Sequence, residues 1–158
     1  MKVKVGFTSE NKPDFVSKTI MWFLKTNYSH VFFILGDHIF HATGKGVHTI
    51  ALSEYMKTHN LVHSFEVELN MSLESFLAFM DGTSSKEYSS SQYLGFLSKS
   101  LQKFVKNGNE KMICSELVAV VLEKYGAYCL PKEADFMSPR DVFNLLNEDL
   151  NHVVTSKT

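Results

Sequence analysis

The sequence predicts an α+β domain in which an antiparallel β-sheet packs against helices. Three observations predict it. Alternating or continuous apolar runs rich in branched and aromatic residues fill the first half of the chain. Helical spacing fills most of the second half. No repeat, low-complexity tract or linker separates the two, so strands and helices share one core.

The elements follow in order. Lys2 to Phe7 alternates as a half-buried strand. From Asp14 to Lys25, Phe15, Val16, Ile20, Phe23 and Leu24 recur at helical spacing, which predicts an amphipathic helix with Pro13 at its first position. His30 to Leu35 and His38 to Ala42 flank Gly36-Asp37 and predict a hairpin. Thr43 to Gly46 is a turn and Val47 to Leu52 a third strand. Ser53 has an N-cap side chain, so a short helix is expected from there to about His59. Val62 to Leu69 alternates again as a strand.

Helices dominate the rest. Ser72 caps a helix to Met80, with Asp81-Gly82 opening a loop. Tyr93 to Val105 has helical character and is broken at Asn107-Gly108-Asn109. Ile113 to Tyr125 is a strongly apolar helix that should end on Gly126 as a C′ glycine. Ser138 and Pro139 open a final helix as N-cap and first helical residue. We read residues 1–150 as a single domain and 151–158 as a flexible polar tail.

Composition removes several function classes. The chain has 158 residues, 44% apolar and 21% charged, and a net charge of −1. A nucleic-acid-coating protein needs a basic field to release counterions, so no nucleic-acid partner is expected. Arg140 is the only arginine, which leaves little for bidentate phosphate or base recognition. The longest apolar runs, such as Val31 to Leu35 and Leu117 to Leu122, fall far short of a bilayer span, so no transmembrane segment is expected. The N-terminus lacks the apolar stretch of a signal peptide, so the expected location is a cytoplasm.

Two cysteines are too few for a disulfide framework in a chain of this length, so their surroundings matter more than their number. Cys114 falls at the start of the apolar helix. There, partial positive charge and unpaired N–H groups favour a thiolate and can receive an oxyanion. Cys129 lies in a loop before Pro131 and is read as structural. A thiol nucleophile needs a base. His30 opens a strand, and the hairpin sets positions 30 and 41 to 43 roughly opposite each other, so His30 and His41 are expected within hydrogen-bonding reach. His48, His59, His63 and His152 are read as exposed strand ends or loops, and His38 as a turn neighbour. A zinc site built from Cys114, His30 and His41 is disfavoured by the ligand spacing, so no metal or cofactor is expected.

Ser29-His-Val-Phe-Phe-Ile-Leu35, Ile39-Phe-His-Ala42 and Met112-Ile-Cys-Ser-Glu-Leu-Val118 together resemble the circularly permuted papain-like superfamily. That group holds the permuted NlpC-type, YiiX-like hydrolases and the lecithin–retinol acyltransferase-like proteins. Tyr93-Leu-Gly95 and Phe136-Met-Ser-Pro-Arg-Asp141 add weaker matches, and the likeness spans residues 15–146. His41 stands where YiiX-like members usually carry Glu, as in the acyltransferase branch. The Glu-His that follows that branch's cysteine is absent.

The resemblance implies a permuted papain-like (NlpC-type) fold and a cysteine hydrolase of amide or ester bonds, from a phage or a bacterium. Cys114 would be the nucleophile, His30 the base that forms a thiolate–imidazolium pair with it, and His41 the residue that orients His30. Backbone N–H groups at Cys114 and Ser115, with Tyr93, would hold the oxyanion. The substrate would be a peptide, a peptidoglycan fragment or a lipid ester or amide. A lipid acyltransferase or thioesterase of the same fold, or a catalytically inactive virion or binding protein, are the alternatives. A phage product would reside in the host cytoplasm or the virion.

Overall fold

The computed structural model describes residues 1–43, 46–83 and 113–155. It is an α+β fold built on a five-stranded antiparallel sheet. The strands are β1 (Lys2–Glu10), β2 (His30–Leu35), β3 (His38–Thr43), β4 (Gly46–Ala51) and β5 (His59–Glu68), in the order β4-β3-β2-β1-β5. The described helices are α1 (Phe15–Leu24), α2 (Leu52–Tyr55), α3 (Leu73–Thr83), α4 (Cys114–Tyr125) and α5 (Pro139–Thr155), with a 3₁₀ turn at Ala134–Phe136. None of them is long and apolar enough to cross a membrane.

Side-chain alternation divides the sheet's two faces. Val3, Val5, Phe7, Val31, Phe33 and Phe40 point to one face and meet Phe76 of α3, Leu117, Val118 and Val121 of α4, and Val142 of α5. Phe32, Ile34 and Ile39 point to the other and meet Tyr55, with Ile50, Leu52 and Met56 packed around them. Gly6 is where β1 passes beneath this second cluster. A Cβ there would lie 2.9 Å from Ile34 Cδ1 and 3.0 Å from the Phe32 ring.

The hairpin forms as expected, with Leu35 opposite His38 and Gly36 in the left-handed region at φ 59°. Several boundaries move. β1 runs on to Glu10 and β5 starts at His59, because the two strands stay paired through a bulge at Phe7/Thr8 that brings Glu10 opposite His59. The expected helix to His59 is therefore cut to Leu52–Tyr55. It begins before Ser53 because Leu52 N–H donates to Asp37 O at 2.7 Å.

Asp14 caps α1, with its Oδ1 accepting the Ser17 N–H at 2.7 Å. Pro13 thus stands outside the helix instead of at its first position. α3 continues through Gly82 to Thr83, whose hydroxyl donates to Phe79 O and Met80 O. Gly126 ends α4 at φ −98°, and Ala127 takes the left-handed position at φ 56°. Gly126 is needed for space: a Cβ would sit 2.7 Å from the Tyr128 ring. Ser138 and Asp141 form a reciprocal cap on α5, which continues to Thr155, into the segment expected as a tail. The expected helix from Tyr93 to Val105, Tyr93 itself and the break at Asn107 to Asn109 lie outside the described residues.

Candidate functional site

β2 and β3 present two imidazoles to one cleft. Phe33 pairs with Phe40, so one further step of the register sets Phe32 opposite His41 and puts His30 on the same face, one diagonal away. His30 Nε2 lies 3.1 Å from His41 Nδ1, and the rings meet edge to face with centroids 5.3 Å apart. His30 Nδ1 makes no hydrogen bond among the described residues. The expectation that the hairpin joins these two side chains holds.

Cys114 is the first residue of α4, as the sequence indicated, and follows the extended Ile113. Glu116 Oε2 accepts the Ile113 N–H at 3.3 Å, so this carboxylate serves the helix start. The helix packs against β2. The N–H of Val31, in the peptide that joins it to His30, faces the Cys114 sulfur, together with the N–H groups of Ser115 and Cys114 itself. The Ser115 hydroxyl points elsewhere: it is buried and donates to Met137 O at 2.6 Å, tying α4 to the turn before α5.

Strand alternation points the side chains of His30 and Val31 to opposite faces of β2. Val31 faces α4 and Cys114, while His30, next in the chain, shares the face of Phe32 and Tyr55. No hydrogen bond joins His30 to Cys114 among the described residues, and Cys114, 1% exposed, does not line the cleft. Cys129 is exposed and free, as its loop position suggested.

Burial controls the protonation states. It pushes the Cys114 thiol up to about 11, against the smaller opposing effect of the N–H groups of Val31, Ser115 and Cys114. Burial, then the nearby His41 and His59, hold His30 well below the ordinary histidine range. Burial, then His48 and His59, push His41 down to about 4. The expected resting thiolate–imidazolium pair is therefore disfavoured. At neutral pH the site holds a neutral thiol and two neutral imidazoles, because low dielectric penalises every charge in it.

The cleft has a volume of about 400 Å³. Its walls include His30, His41, Tyr55 and His59 on the sheet side, Glu10 and Asp14 at one end, and Val16 and Ile20 from α1. Tyr55 is the member that the residue pattern did not single out. Its ring lies edge-on to His41 with centroids 5.5 Å apart and stacks on His59 at 3.9 Å and 10°. Its hydroxyl is 3.1 Å from Thr8 Oγ1 in a buried pair, and burial pushes its pKa well above the usual tyrosine range.

His59 was expected on an exposed strand end. It lines the cleft instead, because the extended pairing of β5 with β1 carries it beside Tyr55. His63, also expected to be exposed, is half-buried with its ring 4.8 Å from that of Phe143, since β5 turns it towards α5. His48 is exposed opposite His41, and His38 is exposed beside Asp37. Among the described residues no three side chains of His, Cys, Asp or Glu are grouped to hold a metal ion.

Neither a scan of the sequence against protein-family models nor a search of curated proteins finds a match.

Proposed function

We propose that the chain is a cysteine-dependent hydrolase of amide or ester bonds, with Cys114 as nucleophile, His30 as general base and His41 as the residue that orients it. The observation that carries this reading is the 3.1 Å His30–His41 bond in the wall of a cleft, with Cys114 behind it against the His30–Val31 peptide. The likeness of these motifs to the permuted papain-like superfamily supports the same roles.

The proton inventory suits a general-base route. When His30 carries its proton on Nε2 and donates it to His41 Nδ1, Nδ1 of His30 is the lone-pair nitrogen. Cys114 Sγ then attacks a carbonyl carbon as its proton passes to His30 Nδ1, and the carbonyl π pair moves to oxygen. N–H groups of Cys114 and Ser115 at the start of α4 meet that oxyanion. Collapse breaks the bond to the leaving amine or alcohol, which takes the proton from His30. Water, deprotonated by His30, resolves the thioester and restores the thiol. Attack requires the buried sulfur to be uncovered as substrate binds.

The burial of Cys114 favours a second reading, a binding protein that keeps the arrangement without turnover. One experiment separates them. The protein is incubated with peptidoglycan fragments and, in parallel, with a lipid extract, and its intact mass is measured. An acyl adduct mapped to Cys114, absent in Cys114→Ala and in His30→Ala, supports the hydrolase, and the extract that yields it identifies the substrate class. No adduct from either extract, with both variants folded, overturns it in favour of the binding protein.

A further inference from the structure

α1 turns its apolar side outward. Its ten residues, Phe-Val-Ser-Lys-Thr-Ile-Met-Trp-Phe-Leu, hold one charge, Lys18, and no acid. Helical periodicity predicted that Phe15, Val16 and Phe23 would face the core, but of the ten only Leu24 is buried. Phe15 is 83% exposed and Trp22 79% exposed, and Phe23 and Val16 are exposed as well. At about 100° per residue, Phe15 and Trp22 project on the side opposite Leu24, and Phe23 lies on the flank between them and the buried side. A helix this apolar is ordinarily enclosed by protein or by lipid.

Three lysines border this face. Lys12 precedes the helix, Lys18 lies within it, and Lys25 follows as a left-handed C-cap. All three are exposed, and none is in an ion pair among the described residues. Two acids, Glu10 and Asp14, lie at the N-terminal end of the helix. Asp14 caps the helix, and Glu10 Oε2 accepts the Asp14 N–H at 3.1 Å.

We propose that α1 is an interfacial docking helix that seats the protein on an anionic lipid bilayer. Phe15, Trp22 and Phe23 enter the boundary between headgroups and acyl chains, and Lys12, Lys18 and Lys25 meet lipid phosphates. Trp and Phe suit this depth, and the lysine stems reach back to the phosphates. Past Asp14 the helix carries no acid, so Lys18 and Lys25 present their charge beside the aromatic residues, which suits an anionic surface. Val16, Ser17 and Ile20 of the same helix line the cleft that holds His30 and His41, so docking brings the cleft beside the bilayer. The proposal does not depend on Cys114 being a nucleophile.

Trp22 is the only tryptophan in the chain, so its fluorescence reports this face directly. The full-length protein is titrated with vesicles of phosphatidylcholine containing about 30% phosphatidylglycerol, and its sedimentation with them is measured. The expected result is a shift of Trp22 emission to shorter wavelength and co-sedimentation that weakens with salt. Phe15→Ser with Phe23→Ser should lower partitioning at least about tenfold, since two exposed aromatics lose their burial in lipid. Lys18→Glu with Lys25→Glu should lower it as well, and Cys114→Ser should leave it unchanged. Emission unmoved by vesicles overturns the proposal. So does a shift that grows with protein concentration without lipid, which assigns the face to a second copy. So does undiminished binding of the folded Phe15/Phe23 variant, which places the lipid contact elsewhere.

Discussion

His30 and His41 share one hydrogen bond, Nε2 to Nδ1 at 3.1 Å, and each is kept neutral mainly by burial. The pair therefore makes stability depend on pH. An unfolded histidine titrates near 6.5, whereas folded His41 titrates at about 4. Between those values the unfolded chain binds more protons, so stability falls as pH drops through 6.5 and levels off below about 4. The loss due to His41 is on the order of 2 kcal/mol. Urea unfolding of the protein and of His41→Gln at pH 7 and pH 4.5 measures it as a difference, and the variant should show a shallower dependence, with His30 still contributing. An equally steep dependence in that variant would show that other groups cause it.

The two thiols should react in a fixed order. Cys129 is exposed, while Cys114 is buried with its thiol pushed up to about 11. In the absence of substrate at pH 7, iodoacetamide should modify Cys129 at least about a hundredfold faster than Cys114, because only the accessible thiolate is nucleophilic. Urea should erase the difference. Peptide mapping of a labelling time course reads both rates. Faster labelling of Cys114 at pH 6 would reveal a preformed thiolate and contradict the neutral resting site.

Tyr55 holds the cleft through its ring and its hydroxyl separately. Tyr55→Phe keeps the stacking on His59 and the edge contact with His41 but leaves Thr8 Oγ1 without its partner, a cost of about 1 kcal/mol. Tyr55→Ala also empties a site packed against Phe32 and should cost about 3–5 kcal/mol. Chemical denaturation gives both values. Equal losses for the two variants would mean that the hydroxyl, not the ring, carries the contribution.

Ser115 fastens the start of α4 to the turn before α5. Ser115→Ala removes a buried 2.6 Å bond to Met137 O and leaves that carbonyl unsatisfied, which should cost about 1–3 kcal/mol. Hydrogen exchange should rise first in α4's opening turn. Unchanged exchange there, together with unchanged stability, would show that the contact contributes nothing.

Much of the site was legible in the residue pattern because its determinants are local. Gly36-Asp37 between two apolar runs fixes the hairpin, and the hairpin brings His30 to His41. The apolar run from Ile113, with Glu116 three residues on, marks the start of α4 and places Cys114 there. Tyr55 and His59 carried no such signal. They reach the cleft only through the bulged pairing of β1 with β5, which joins residues about fifty positions apart.

The sequence by itself determined the α+β class, the hairpin, the caps of α3 and α5, and which cysteine begins a helix, since spacing and capping chemistry act over a few residues. Only the tertiary structure decided how those pieces face one another. It set His30 and Val31 on opposite sides of one strand, enclosed the thiol, and turned the aromatic side of α1 to the surface. Periodicity records that a helix has an apolar side. Which side meets the core depends on where the sheet lies, and that is fixed by contacts distant in the chain.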